Sequence, residues 1–170
     1  MIPLLKQHGR DVSTRQIAEA CGVAEGTLFR AFGDKESLIS AAIDAYFDPL
    51  PLRTAITSID PSLPADGKVR AVLDLLHDRF QGVIGLMSAL RVTDGPPPIA
   101  RTASESWLEA FEQLMAPHRE ELSAPVATVG HYLRLIAFAT AIPPISAAHE
   151  FASDELLPLV THGVLSDRKD

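Results

Sequence analysis

Histidine and acidic side chains occur along the whole sequence, but few have a spacing that could support catalysis or metal binding. The six histidines are scattered over 170 residues. Asp74, His77 and Asp78 would share one helix face and could start a metal site, although a closed site needs further ligands and acid-rich helix faces are common. The sequence has neither a glycine-rich phosphate loop nor a defensible Ser-His-Asp spacing. We therefore predict no enzyme, no metal and no cofactor, and keep a helical-bundle enzyme as the weakest alternative.

A short stretch near the N-terminus has the spacing of a helix-turn-helix. Ser13 followed by Gln16 is a capping box, which predicts the start of a helix. Gly22 can take the left-handed conformation that ends this helix, and Leu28 would be the inward anchor of a second one. Ala18 is small enough to let the two helices cross closely. This arrangement is typical of DNA-binding units whose second helix, here near residues 24–32, enters the major groove.

Charge is distributed unevenly along the chain. The net charge is −7, yet the first 35 residues hold five basic and four acidic groups, so the acidic excess lies in the remainder. A near-neutral N-terminal segment on an otherwise acidic chain is compatible with DNA binding by that segment alone. The chain has one cysteine, Cys21, which excludes an internal disulfide. We expect Cys21 and Val23 to be small buried residues of the helix-turn-helix.

Apolar periodicity and proline spacing predict an all-α protein. Apolar residues recur at steps of three and four over 66–92 and again over 103–116, and strand patterns are nearly absent. The segment 126–142 is apolar on most sides, so its second face could belong to a partner subunit. A last helix is expected near 153–165, kinked or delayed by Pro158. Since no apolar run approaches the roughly 20 residues that span a bilayer, we predict a cytoplasmic protein without membrane contact.

The N-terminal residues resemble the signature of TetR-family transcriptional regulators. The resemblance is carried by Val12–Val23, Gly26–Phe29 and Phe32–Ile39. It implies a helix-turn-helix three-helix head over 1–48 and a C-terminal helical bundle for ligand binding and dimerisation over 49–170. It also implies a homodimer on double-stranded operator DNA, in most members a repressor.

The same resemblance assigns roles to individual residues of the head. The residues that would bind DNA are Thr14, Arg15, Glu25, Gly26, Thr27, Phe29, Arg30 and Lys35. Glu25, Gly26 and Arg30 would lie nearest the base edges. Thr14 and Arg15, at the start of the first helix of the motif, could reach phosphates or bases, and the remaining three would contact the DNA backbone.

Three positions depart from the family pattern and favour a second interpretation. Phe29 stands where a tyrosine is common, and Ala31 where a histidine is common. Ala24 replaces the usual serine cap, which would weaken the start of the reading helix by about 1 kcal/mol. The helix before the motif is short, so we expect further residues upstream of Met1. The alternative is a helical small-molecule-binding dimer that has lost DNA reading.

The resemblance also implies that the body binds a small, largely apolar ligand that releases the protein from DNA, and that it forms the dimer. Its candidate lining residues are Phe80, Ile84, Met87, Trp107 and Phe111. The family pattern implies that helices near 126–142 and 153–165 pair with their copies in a homodimer.

Overall fold

The computed structural model describes residues 1–91, 99–142 and 153–164, and this part of the chain is helical with no β-strand. The prediction of an all-α fold is confirmed. The helices are α1 (Ile2–His8), α2 (Thr14–Cys21), α3 (Glu25–Phe32), α4 (Lys35–Phe47), α5 (Leu50–Thr57), α6 (Ala65–Ala89), α7 (Ile99–Met115), α8 (Val126–Ala141) and α9 (Ser153–Val164). Short 3₁₀ segments, Gly9–Asp11 and Ala116–Glu121, follow α1 and α7. No described helix is long and apolar enough to cross a bilayer.

The chain divides into two compact units. The first comprises Met1–Asp48 and Val83–Ala103, and the second comprises Pro49–Gly82 and Ser104–Asp170. The first unit thus contains the predicted head and also residues 83–103, which the sequence assigned to the body. The assignment of ligand binding and dimerisation to the whole of 49–170 stays a prediction.

The core of the first unit combines α1 to α4 with the end of α6. Its buried residues are Leu5, Val12, Ile17, Ala18, Leu28, Leu38, Ile39, Leu86 and Leu90. Leu86 and Leu90 are 0% and 3% exposed, although they lie about 50 residues beyond α3 in the sequence. A closely packed core depends on each of its members, so residues from α6 contribute to the stability of the head.

Gly9 allows α1 to approach the end of α6 within the first unit. Its φ is +58°, a conformation that residues with a Cβ rarely adopt. A Cβ built on Gly9 would lie 2.5 Å from the backbone oxygen of Ala89. Because a backbone carbonyl cannot move aside as a flexible side chain can, only glycine fits this position without displacing α6.

The turns of the head follow local sequence signals. Ser13 accepts a hydrogen bond from the backbone of Gln16, whose side chain accepts from the backbone of Ser13, so the predicted capping box forms. Gly22 ends α2 with φ +67° and ψ +29°, the left-handed conformation expected from the sequence. Asp34 caps α4 by accepting from Ser37 N at 2.7 Å.

The expectation that Cys21 and Val23 are buried is wrong. Cys21 is exposed, and the Val23 side chain is 40% exposed. The inward contacts of α2 are made by Ile17 and Ala18 instead. Because the chain reverses at Gly22, the residues on either side of it lie at the outside of the turn.

The second unit is built around one apolar cluster drawn from α5 to α9. Its buried residues include Ile56, Val69, Leu76, Trp107, Phe111, Met115, Val129, Leu133 and Val160. Gly130 brings α8 close to α7, since a Cβ there would lie 2.6 Å from Leu108 Cδ1 and 3.0 Å from Phe111 Cδ1. A side chain at position 130 would therefore require Leu108 to shift and the buried Phe111 ring to give way slightly.

The second unit also contains a buried lysine. Lys68 is 2% exposed, and its Nζ lies 2.8 Å from His118 Nε2. His118 Nδ1 lies 2.7 Å from Glu121 Oε1. If Nδ1 carries the proton donated to Glu121, Nε2 is free to accept from the lysine. The chain of bonds ties α6 to the segment Ala116–Glu121 and gives the buried Lys68 Nζ a hydrogen-bond acceptor, since a buried polar group without one is costly.

Candidate nucleic-acid interface

The second helix of the motif, α3, has one buried anchor and an outward face. Leu28 is 8% exposed and packs in the core of the first unit. Glu25, Gly26, Thr27, Phe29 and Arg30 are all exposed. This outward side is the one that docking of a helix-turn-helix would bring to the major groove, with its N-terminal residues nearest the bases.

The first residues of α2 and α3 are joined by a hydrogen bond. Thr14 Oγ1 donates to Glu25 Oε1. No side chain caps α3, because its N-cap position is Ala24. The bond from Thr14 therefore provides a polar tether at the start of α3, and it occupies the single hydroxyl proton that was predicted to reach a phosphate.

Two of the basic side chains near the motif are already paired. Arg15 Nε lies 3.1 Å from Glu19 Oε1, and Arg10 pairs with Glu36. In both pairs the side chains are more than half exposed. Exposed ion pairs contribute at most about 1 kcal/mol, so a phosphate group could replace the carboxylate at little cost.

Arg30 and Lys35 have no ion pair in the described part of the chain. Arg30 is exposed near the end of α3, and Lys35 is half-buried as the first residue of α4. Both are available to bind DNA without first breaking an internal salt bridge.

Two aromatic rings are exposed on α3. Phe29 is 46% and Phe32 is 40% exposed. An apolar ring in the major groove can contact the methyl group of thymine, whereas it cannot donate a hydrogen bond to phosphate. Gly26 lies beside them, and a Cβ there would meet no atom within 4 Å. Packing against the described residues does not require glycine at this position.

All eight predicted DNA-binding residues lie at the start of α2, on α3 or at the start of α4. The structure adds two features that sequence reasoning missed, the Thr14–Glu25 bond and the Arg10–Glu36 pair. The spacing of Thr14 and Glu25, at the first positions of the two helices of the motif, is the signal that could have indicated their contact.

The candidate ligand-lining residues are divided between the two units. Trp107 and Phe111 are buried in the second unit with ring centroids 6.1 Å apart. Phe80 packs against the same cluster and meets Phe138 edge to face at 5.3 Å. Ile84 and Met87 belong to the stretch 83–103 of the first unit. That all five residues line one ligand-binding site stays a prediction.

On the helix face that carries Asp74, His77 and Asp78, the His77 side chain contacts a neighbouring helix. His77 Nδ1 lies 3.1 Å from Thr140 Oγ1 of α8. In the described part of the chain, no group of three histidine, cysteine or acidic residues could hold a metal ion.

The fold and the exposed second helix define a helix-turn-helix protein with a DNA-binding N-terminal domain. Residues 3–42 match the family model described as bacterial regulatory proteins, tetR family. The N-terminal domain is thus similar to that of TetR-family regulators. No curated protein matches the sequence.

Solved structures with the same fold cover nearly the whole chain. A TetR transcriptional regulator from Streptomyces coelicolor is 26% identical, with a TM-score of 0.65 over 96% of this chain and 93% of that one. A putative TetR-family regulator from Vibrio parahaemolyticus is 15% identical, with a TM-score of 0.60 over 98% and 95%. The secondary repressor of the MexAB-OprM multidrug efflux pump in Pseudomonas aeruginosa is 20% identical, with a TM-score of 0.53 over 98% and 93%.

Proposed function

We propose that the protein is a dimeric transcriptional regulator of the cytoplasm that represses by binding operator DNA and is released by a small, largely apolar molecule. The observation that carries the DNA-binding part is the exposed side of α3, on which Arg30 has no ion pair with any described residue and Leu28 anchors the helix in the core. A basic side chain held on a rigid helix can read a base edge, and guanine is the usual partner of arginine.

The test of DNA binding is a selection of bound sequences from random double-stranded DNA with the full chain. Enrichment of a two-fold symmetric site, with affinity that falls steeply as salt rises, is the expected result. Arg30→Ala should lose the selected preference at one base position, whereas Arg53→Ala on α5, also an exposed arginine, should keep the whole preferred sequence. Absence of any enriched sequence at low salt would overturn the proposal.

Dimerisation is supported by an apolar stripe on α8. Tyr132, Leu135 and Phe138, spaced three residues apart, are 40%, 63% and 44% exposed. Leu159 of α9, in the second predicted dimer segment, is 65% exposed. Apolar surface of this kind is unfavourable in water, and pairing with a second copy would bury it. Residue 165, at the end of that predicted segment, lies outside the described residues.

Oligomeric state tests this part of the proposal. Leu135→Glu should shift the chain from dimer to monomer in sedimentation velocity, since a charge would have to be buried at the centre of the stripe. Leu50→Glu, at a leucine 59% exposed on α5, is the matched control and should stay dimeric. Identical mass for the wild type and Leu135→Glu would contradict the role of the stripe.

Ligand binding would occur in the second unit, near Trp107 and Phe111. Both side chains are buried among apolar groups, and small-molecule sites are lined mostly by apolar and aromatic side chains. Trp107 is the single tryptophan, so its fluorescence reports on this region alone. Compounds that release the protein from DNA should change that emission, and a compound that releases DNA without changing it would argue for another site.

The alternative function is a helical small-molecule-binding dimer without DNA reading. Ala24 leaves α3 without a side-chain cap, Phe29 lacks a hydroxyl, and the net charge is −7. These features weaken the attraction to a polyanion. This alternative predicts no sequence preference in the selection, whereas the dimer and the fluorescence response would remain.

A further inference from the structure

We infer that Glu25, held in place by Thr14, reads the exocyclic amine of a cytosine in the major groove of the operator. The inference rests on the proposed function, because it requires that α3 enters the groove. Glu25 is the first residue of α3 and is exposed. In this class of motif the N-terminal residues of the second helix are those that contact base edges.

A carboxylate in the major groove has few favourable partners. It only accepts hydrogen bonds, and DNA phosphates repel it. Four groups in the groove are acceptors as well and cannot donate a hydrogen bond to a carboxylate: N7 and O6 of guanine, N7 of adenine and O4 of thymine. The donors in the groove are the exocyclic amines, N4 of cytosine and N6 of adenine. An acidic side chain at this position therefore selects a base that carries an amine.

Cytosine is the better of the two partners for a carboxylate. The adenine amine lies between two acceptors, its own N7 and O4 of the paired thymine, whereas the cytosine amine has one such neighbour, O6 of the paired guanine. Repulsion between acceptors thus disfavours glutamate at an A·T pair more than at a C·G pair. A glutamine would behave differently, because its amide can donate to N7 and accept from N6 of adenine.

Thr14 holds the Glu25 carboxylate in place through one of its two oxygens and leaves the other oxygen available to DNA. Its hydroxyl donates to Oε1 of Glu25, and Oε2 has no hydrogen-bond partner among the described residues. Thr14 itself is the first residue of α2, directly after the Ser13 capping box. The tether removes rotational freedom that the long glutamate side chain would otherwise lose on binding DNA. Thr14 is thus a positioning residue for Glu25.

The experiment is the same selection of bound DNA, carried out with the full-chain wild type and Glu25→Gln. The wild type should enrich a C·G pair at one position of each half-site, and Glu25→Gln should move that preference to A·T, with a change in discrimination of about tenfold. Asp44→Asn, which removes an exposed acidic group of α4, is the control for charge. It should leave the preferred sequence unchanged.

Thr14 variants separate positioning from general stability. Thr14→Val should reduce discrimination at that one position by several-fold, and Thr14→Ser, which restores the hydroxyl, should recover it. An operator without a preference for C·G, or equal effects of Glu25→Gln and Asp44→Asn, would overturn the inference while leaving the proposed function in place. If the wild type enriches no sequence, the proposed function fails, and the inference fails with it.

Discussion

Arg30 and Lys35 are both cations of the head without an ion pair among the described residues, but they lie at different places in the motif. Arg30 is on the outward side of α3, and Lys35 starts α4. We expect Arg30→Ala to lose about 1–3 kcal/mol of discrimination at one base position and Lys35→Ala to weaken all sequences alike, with a salt slope lower by about one. Binding isotherms on the selected and a scrambled duplex, each at several salt concentrations, measure both quantities. Equal loss on the two duplexes for Arg30→Ala would contradict its role at a base.

Asp34 makes the start of α4 sensitive to acid. The hydrogen bonds from Ser37 hold the pKa of its carboxyl below the ordinary value of 3.8. A lowered pKa in the folded state stabilises the fold above the unfolded value and loses that contribution as pH falls through the folded one. The free energy of unfolding should therefore decrease below about pH 4.

Asp34→Asn keeps a capping oxygen and removes this titration. Urea unfolding of the variant should show a smaller decrease between pH 5 and pH 3 than the wild type. Asp44→Asn, at an exposed aspartate in the same helix, should retain the wild-type decrease. The same slope in all three proteins would mean that the Asp34 cap contributes nothing to acid sensitivity.

At the scale of elements, two glycines that look alike in the sequence have different structural roles. Gly9 meets the Ala89 oxygen and has positive φ, whereas Gly26 lies inside α3 with open space around it. Gly9→Ala should destabilise the fold by roughly 1–3 kcal/mol or more, from strain and collision. Gly26→Ala should leave stability unchanged or raise it by up to about 1 kcal/mol through helix propensity. Thermal and urea unfolding compare the two, and equal destabilisation would rule out the close approach at Gly9.

Elements governed by local chemistry could be predicted from the sequence, and those governed by distant packing could not. The Ser13 capping box and the Gly22 turn each depend on a few neighbouring residues, so their pattern indicates their structure. Lys68 gave no such signal, because a lysine is rarely buried and its partner His118 is 50 residues away. Lys68 lies on the same helix face as Ala65 and Val72, and this position was the one indication in the sequence that it could be buried.

At the scale of the whole molecule, the head depends on residues from beyond its own contiguous sequence. Leu86 and Leu90 are buried in the core that also contains Leu5, Ile17 and Leu28. A fragment of residues 1–48 should therefore be largely unfolded in circular dichroism and show poor dispersion in its amide spectrum. In the full chain, Leu86→Ala should cost about 2–5 kcal/mol of unfolding free energy. Leu50→Ala, at an exposed leucine, should change it little. A cooperatively folded 1–48 fragment would contradict this prediction.

The contribution of α6 to the head also limits how regulators of this kind can be recombined. A chimera that joins a foreign reading head to this chain at Asp48 would keep Leu86, Leu90 and the backbone of Ala89 while replacing the surfaces that were shaped to fit them. A graft that preserves the native core must be discontinuous, because residues 1–48 have to be exchanged together with residues 83–91. Engineers who build hybrid sensors should transplant both segments as one piece.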